Sequence, residues 1–370
     1  MNGTLVRSLS GRFLLPLFSV LLGLVAGAVA ILLVGANPLD AYTALFQGAF
    51  TNRNGFTETL VATIPYVFLG LSVLIGFRAG LFNIGGQGQL LLGGIFSAFI
   101  GYRVAGLPAV LHVPLALLAG MLGGFLWGAI PGILKARTGA HEVITTIMLN
   151  YIAAGLLDFL VNRGPMSDPH RAIPQTPAIL HSASLPIIVP GSRLHLGLFL
   201  AILAVPVIWF LLERTTIGFR IRAVGLNAEA ARASGISVAG TMVTVMGISG
   251  AVAGLAGAVE VLGVSGVLTP SLASGLAFDA IAVALLAGSN PIAILPSALL
   301  FGALRSGSSF MQLQTQVSTD LISIVQAAVI VFVAAPMLVR FIFRLRAGRA
   351  APVSITKGGL GQTPPEEGVA

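Results

Sequence analysis

The chain has 370 residues, of which 56% are hydrophobic and 9% charged, and its mean hydropathy is +0.97. So apolar a composition leaves too little polar surface for a soluble fold, and the formal charge of +8 is then a topology signal rather than a nucleic-acid signal. The absence of cysteine removes disulfides, thiolate chemistry and Cys-based metal sites together. His112, His141, His170, His181 and His195 are scattered without ligand spacing, so no metal site is expected. Several apolar stretches reach the roughly 20 residues that a helix needs to cross a bilayer. The expected fold is an all-α polytopic membrane protein with about ten transmembrane helices, some of them short or broken.

Arg7 and Arg12 precede the first apolar run, residues 13–34. Ala28-Val29-Ala30 resembles a signal-cleavage site, but the run continues past it and is too long for a signal segment, which predicts an uncleaved first span with its start inside. Residues 36–57 form a first outer loop and residues 58–77 a second span. Arg78 marks the inner face ahead of GLFNIGGQGQ, residues 80–89. There Asn83, Gln87 and Gln89 lie among four glycines where a third span should begin. A helix start this polar is costly against lipid and should face protein or a water-filled path, although a tight interfacial turn would use the same glycines.

The fourth span, about 109–134, sets Gly120, Gly124, Gly128 and Gly132 four residues apart, a ridge for close helix packing. Lys135 and Arg137 hold its end inside. The fifth opens on GAHEVITTIMLNYIA, residues 139–153, with Glu142, Thr146 and Asn150 on one face. That face stays polar deep into the bilayer, as in helices lining a bundle interior or a cavity. Glu142 alone could simply begin the helix near water. Residues 162–194 form a proline-rich outer loop, followed by a sixth span at 195–212.

Residues 215–237, TTIGFRIRAVGLNAEAARASGIS, are the only long internal segment that is polar, basic and still patterned like a helix. Arg220, Arg222 and Arg232 flank residues 227–233, with Asn227 placed as N-cap, Glu229 in the first turn and Gly235 at the expected stop. Such a segment is either a docking surface for a soluble partner or an ordinary surface helix. A seventh span at 240–262 carries Gly250 and Gly254. Residues 263–291 are broken, with Asp279 at the head of a short apolar helix that it could simply cap. Residues 292–304 form another short helix, the last span runs from about 321 to 340, and the tail at 341–370 is expected to be cytoplasmic and disordered.

Charge supports this arrangement. Of the 20 lysines and arginines, only Arg53, Arg103, Arg163, Arg171, Arg193 and Arg305 fall outside, which places both termini in the cytoplasm. The breaks at 78–90 and 263–280 follow spans entering from opposite sides, as in an inverted repeat around a transport path. No G-x-x-x-x-G-K-[ST] occurs, so the chain has no P-loop of its own, and no nucleophile–base–acid set suggests catalysis.

GLFNIGGQGQ, GAHEVITTIMLNYIA, RAVGLNAEAARASGI and FDAIAVALLAGSNP, in this order, resemble the permease subunits of bacterial ABC importers. The likeness covers roughly residues 60–340. It is greatest to the nucleoside and simple-sugar branch, related to ribose and branched-chain amino acid permeases. The resemblance implies that residues 1–340 are one transmembrane permease domain. It implies that residues 213–238, with Arg222, Gly225, Asn227, Glu229, Ala231 and Gly235, form the cytoplasmic coupling loop received by an ATPase subunit. It also implies a second permease subunit, an extracytoplasmic solute-binding protein, a bacterial inner-membrane location, and no cofactor on this chain, because ATP is bound by the partners. Gln87 stands where the family has a glutamate, and His141 where an asparagine is common.

The expected function is translocation of a small polar solute, a nucleoside first and a simple sugar second. The expected path residues are Asn83, Gln87, Gln89, Glu142, Thr146, Asn150 and Asp279. A proton-coupled transporter using Glu142, Asp279 or Glu260 is the alternative.

Overall fold

A computed structural model describes residues 2–334, except 172, 273, 274 and 289. The expected tail at 341–370 and the end of the last span lie outside the described residues. Apart from one isolated bridge between Ile187 and His195, the regular structure among them is helical. In order the main helices are α1 (Asn2–Leu33), α2 (Pro38–Phe46), α3 (Arg53–Arg78), α4 (Gly86–Arg103), α5 (Ala109–Thr138), α6 (Glu142–Asn162) and α7 (Gly197–Arg214). There follow α8 (Thr216–Leu226), α9 (Ala228–Ala233), α10 (Val238–Glu260), α11 (Leu276–Leu286), α12 (Ile294–Thr315) and α13 (Asp320–Ala334). Six of them, α1, α3, α5, α6, α7 and α10, are long and apolar enough to cross a membrane; α11 and α13 are apolar but shorter. This is an all-α polytopic membrane protein.

Helices α3 and α10 are mostly buried, and α5, α6 and α7 turn apolar side chains outward. Leu118, Leu122, Met148, Tyr151, Phe199 and Leu203 belong to that outward surface. Exposed leucines and aromatics in such number are unfavourable in water and suited to lipid.

The two glycine patterns of α5 and α10 are the two sides of one contact. A β-carbon at Gly124 would collide with the carbonyl oxygen of Gly250, and one at Gly254 with that of Gly120. Gly93 of α4 meets Gly254 in the same way, and Gly257 meets Leu90. The backbones of α4, α5 and α10 therefore touch, which only residues without side chains permit. A second set joins α12 to α3 and α2: added β-carbons at Gly302 and Gly307 would strike Thr63 and the Leu45 carbonyl.

Three segments differ from expectation. Residues 36–57 contain α2, begun by Asn37, whose Oδ1 accepts from Leu39 N at 3.0 Å, with Pro38 at the first helical position and Asp40 in the first turn. Helix α12 runs to Thr315 rather than stopping near 304, because Gly302 and Gly307 pack against α3 and α2 instead of ending the helix. The loop at 162–194 is anchored along its length. Thr176 N donates to Leu268 O at 3.0 Å, Ile179 N to Gly266 O at 2.9 Å, and Leu185 N to Leu262 O at 2.8 Å.

The two chain breaks start far apart and approach each other where they end, since a β-carbon at Gly86 would stand 3.3 Å from the Ala277 side chain. Gly80 of the first break meets Gly225 of α8, whereas Gly266 and Leu268 of the second belong to the strip paired with the 162–194 loop.

Candidate functional site

At the first break the polar residues close on one another. Asn83 Nδ2 donates to Gln89 Oε1 (3.0 Å) and to Ser249 Oγ (2.7 Å), while its Oδ1 accepts from Gly85 N (2.9 Å). Ser249 in turn donates to Ser72 O at 2.7 Å, so the break is tied to both central helices. Asn150 of α6 reaches across: Oδ1 accepts from Gly88 N (2.8 Å) and Nδ2 donates to Ile84 O (2.9 Å). Asn83 and Gln89 are 1% exposed and Asn150 7%, so these amides satisfy a glycine-rich turn that has no helical partners of its own.

Replacing Asn150 by leucine strands a buried N–H and a buried C=O, at about 1–3 kcal/mol each. The purified variant should lose its fold at a clearly lower temperature than the parent in a size-exclusion melting assay. Gln87→Leu should shift the melt less, because Gln87 Oε1 has no partner to lose.

Thr146 donates to Glu142 O at 2.7 Å, and Glu142 pairs with Lys135 at 2.9 Å, closing the α5–α6 turn. Asp279 stands apart from these residues and accepts a 2.9 Å hydrogen bond from the Tyr66 hydroxyl. It is near a polar cleft of about 560 Å³ lined by Glu58, Pro65, Arg193, Glu260, Arg305 and Ser309. Arg305 acts electrostatically on Tyr66, Asp279 and Glu260 alike. Arg193 Nε donates to Glu58 Oε1 at 3.1 Å across the cleft's rim. Pro65 lacks the N–H that would serve the Val61 carbonyl, and Val61 also lines the cleft. Behind the wall, His195 is fully buried, and its Nδ1 accepts from Gly197 N at 3.1 Å. Burial pushes its pKa down to about 4, so the imidazole is neutral at ordinary pH.

Most of this cleft was missed from sequence. Glu58, Arg193 and Arg305 look like charges at the ends of spans, and Arg305 reaches mid-helix only because α12 is longer than its apolar run.

At the other end of α3, residues 215–237 form two helices rather than one. Thr215 caps α8, its Oγ1 accepting from Gly218 N at 3.1 Å; Asn227 caps α9, its Oδ1 accepting from Ala230 N at 3.0 Å. Gly235 takes φ +81°, a left-handed stop that suits glycine. Ala231 is buried with Val224 and Val238, whereas Glu229 and Arg232 pair in the open at 3.2 Å. Glu213 of α7 binds both Arg222 (3.1 Å) and Arg78 (3.0 Å), and a β-carbon at Gly225 would strike the Arg78 carbonyl. The helix pair is thus seated on the end of α3. Leu226, 88% exposed, and Phe219 point away from it.

A bundle of apolar helices with a charged cleft near one end and a capped, polar helix pair at the other has the layout of a membrane transport protein. Residues 55–334 match the family described as branched-chain amino acid transport system / permease component, and the chain belongs to that family. All four motifs that carried the resemblance lie within the matched residues, and the ABC permease class read from them holds. The chain is 42% identical over 346 residues to a guanosine ABC transporter permease of Bacillus subtilis (strain 168), covering 91% of this chain and 97% of that protein. It is 35% identical over 358 residues to a nucleoside ABC transporter permease of Lactococcus lactis subsp. cremoris, covering 94% and 98%. It is also 35% identical over 360 residues to a glucose ABC transporter permease of Haloferax volcanii, covering 93% of each. No solved structure gives a significant match.

Proposed function

We propose that this chain is the membrane subunit of an ATP-driven nucleoside importer, with α8 and α9 in the cytoplasm and the 162–194 loop outside. It works with a second permease subunit, ATPase subunits that bind the ATP, and an extracytoplasmic binding protein that delivers the solute. The observation that carries this reading is that one helix joins the cleft to the seated helix pair. Glu58 lines the cleft and Arg78 meets Gly225, 20 residues apart on α3, or about 30 Å of helix. Motion imposed on α8 therefore reaches the cleft through a single rigid element. Leu226 and Phe219 supply an apolar contact for the ATPase.

Within this reading the cleft is the outer part of the path, and Asp279 and Gln87 are polar groups further along it. Asn83, Gln89, Glu142, Thr146 and Asn150 act as scaffold, since their bonds are made inside the protein. The nucleoside assignment is supported by two of the relatives named above, and a sugar is the second choice because of the third.

Orientation is tested with single cysteines in this cysteine-free chain. An impermeant thiol reagent applied to intact cells should label Ile187→Cys and spare Leu226→Cys; the reverse pattern would invert the topology. Transport is tested in vesicles holding permease, ATPases and binding protein. ATP-dependent uptake of labelled nucleoside should be blocked by unlabelled nucleosides and not by ribose. Block by ribose alone would move the assignment to sugars, and uptake on a proton gradient without ATP would replace the mechanism.

A further inference from the structure

Two charged side chains face the cleft from different helices without forming an ion pair among the described residues: Glu260 at the end of α10 and Arg305 in the middle of α12. Glu260 lies just before a wide five-residue turn, 261–265, which ends the regular helix beside the cleft. Arg305 is the only charged residue on α12. Charges inside a membrane protein face partners, water or a ligand, because an unpaired charge there is costly. Glu260 is within electrostatic reach of both Arg193 and Arg305, and Arg305 also reaches the Tyr66 hydroxyl, yet the space between the elements that carry Glu260 and Arg305 is open.

The chemistry of the pair is one-sided in each case. A guanidinium offers only donors, arranged as a planar fork, and an ionised carboxylate offers only acceptors. A ligand satisfying both needs two adjacent acceptors on one edge and two adjacent donors on another. Guanine has this arrangement, with N7 and O6 as acceptors and N1–H and N2–H₂ as donors; adenine sets its amino donor beside N7, so a guanidinium fork there meets a donor. Hypoxanthine keeps the acceptor edge and one of the two donors. The hydroxyls of Ser306 and Ser309, which line the same cleft, remain for the ribose.

We propose that Arg305 and Glu260 read the base of the transported solute, ranking guanosine above inosine and inosine above adenosine. The inference rests on the nucleoside-importer reading.

The test measures uptake of guanosine, inosine and adenosine in vesicles containing the full transporter and one unchanged binding protein, for the parent, Arg305→Lys and Glu260→Gln. A change in the guanosine-to-adenosine ratio between variants then resides in the permease. Arg305→Lys keeps the charge and loses the fork, and should lower the ratio about ten-fold, the effect of losing one bidentate pair. An unchanged ratio with nucleoside uptake intact overturns the base-reading role and leaves the importer reading standing; no nucleoside uptake by the parent overturns both. Should the variants fail to assemble, the parent permease in nanodiscs is examined by saturation-transfer NMR with guanosine, 7-deazaguanosine and adenosine. Base-proton signals strongest for guanosine are expected, and equal signals for all three overturn the proposal.

Discussion

Gly225→Ala should abolish ATP-driven uptake while the permease still inserts and assembles. The added methyl group would occupy the position of the Arg78 carbonyl oxygen and press on Ala79, both backbone and neither able to yield. Helix α8 must then lift from the end of α3, which also strains the Glu213 pairs to Arg78 and Arg222. Those pairs are only partly buried, and each contributes about 0–1 kcal/mol, too little to hold the seat against the clash. The measurement is uptake and ATP hydrolysis on one vesicle preparation. We expect hydrolysis to persist and to lose its stimulation by loaded binding protein. Coupled uptake at the parental rate would show that α3 is not the transmitting element.

Gly124→Val should remove most of the assembled protein from the membrane. Its side chain would be driven into the Gly250 carbonyl and the backbone of Gly254, where no rotamer change relieves the collision. Overpacking a core costs about 1–3 kcal/mol even where side chains can adjust, and here the obstruction is backbone. Against a total stability of roughly 5–15 kcal/mol this is a large fraction. Gly155→Val is the matched control, because a β-carbon at Gly155 meets nothing within 4 Å. Monodisperse protein should be recovered for Gly155→Val and be nearly absent for Gly124→Val. Equal recovery of the two would mean that the α5–α10 contact is looser than described.

What was legible in the sequence was local. The Asn227 cap and Gly235 stop of α9 depend on neighbours within four residues, and the glycine ridge of α5 on a period of four. Helix α8 was hidden because its arginines and Gly225 disguise an apolar face of Ile221 and Val224, which is buried only by the elements it lies on. The amides at 83, 89 and 150 were recognisable as polar groups inside a bilayer protein. Their direction was not, since Asn150 bonds to backbone more than 60 residues away. The cleft was the least legible part. Glu58, Arg193 and Arg305 are distant in the chain and unremarkable beside their own neighbours, and only the packing of α3, α10, α12 and the end of the 162–194 loop brings them to one space with Glu260, which the sequence offered only as a proton carrier.

The glycine contacts divide the membrane region into two blocks. One is α4, α5 and α10, backbone against backbone; the other is α12 welded to α3 and α2. Within the first block a helix cannot slide past its neighbour, since there is no layer of side chains to yield and the first step drives a carbonyl into an α-carbon. Between the blocks the contact is made by side chains, including the Ser72–Ser249 bond, and these can exchange partners. The cleft lies on that seam, with Glu260 on one side and Glu58 and Arg305 on the other. Rocking one block against the other would change its volume, and in the proposed importer α8, seated on α3, would be the handle of the block that carries the guanidinium.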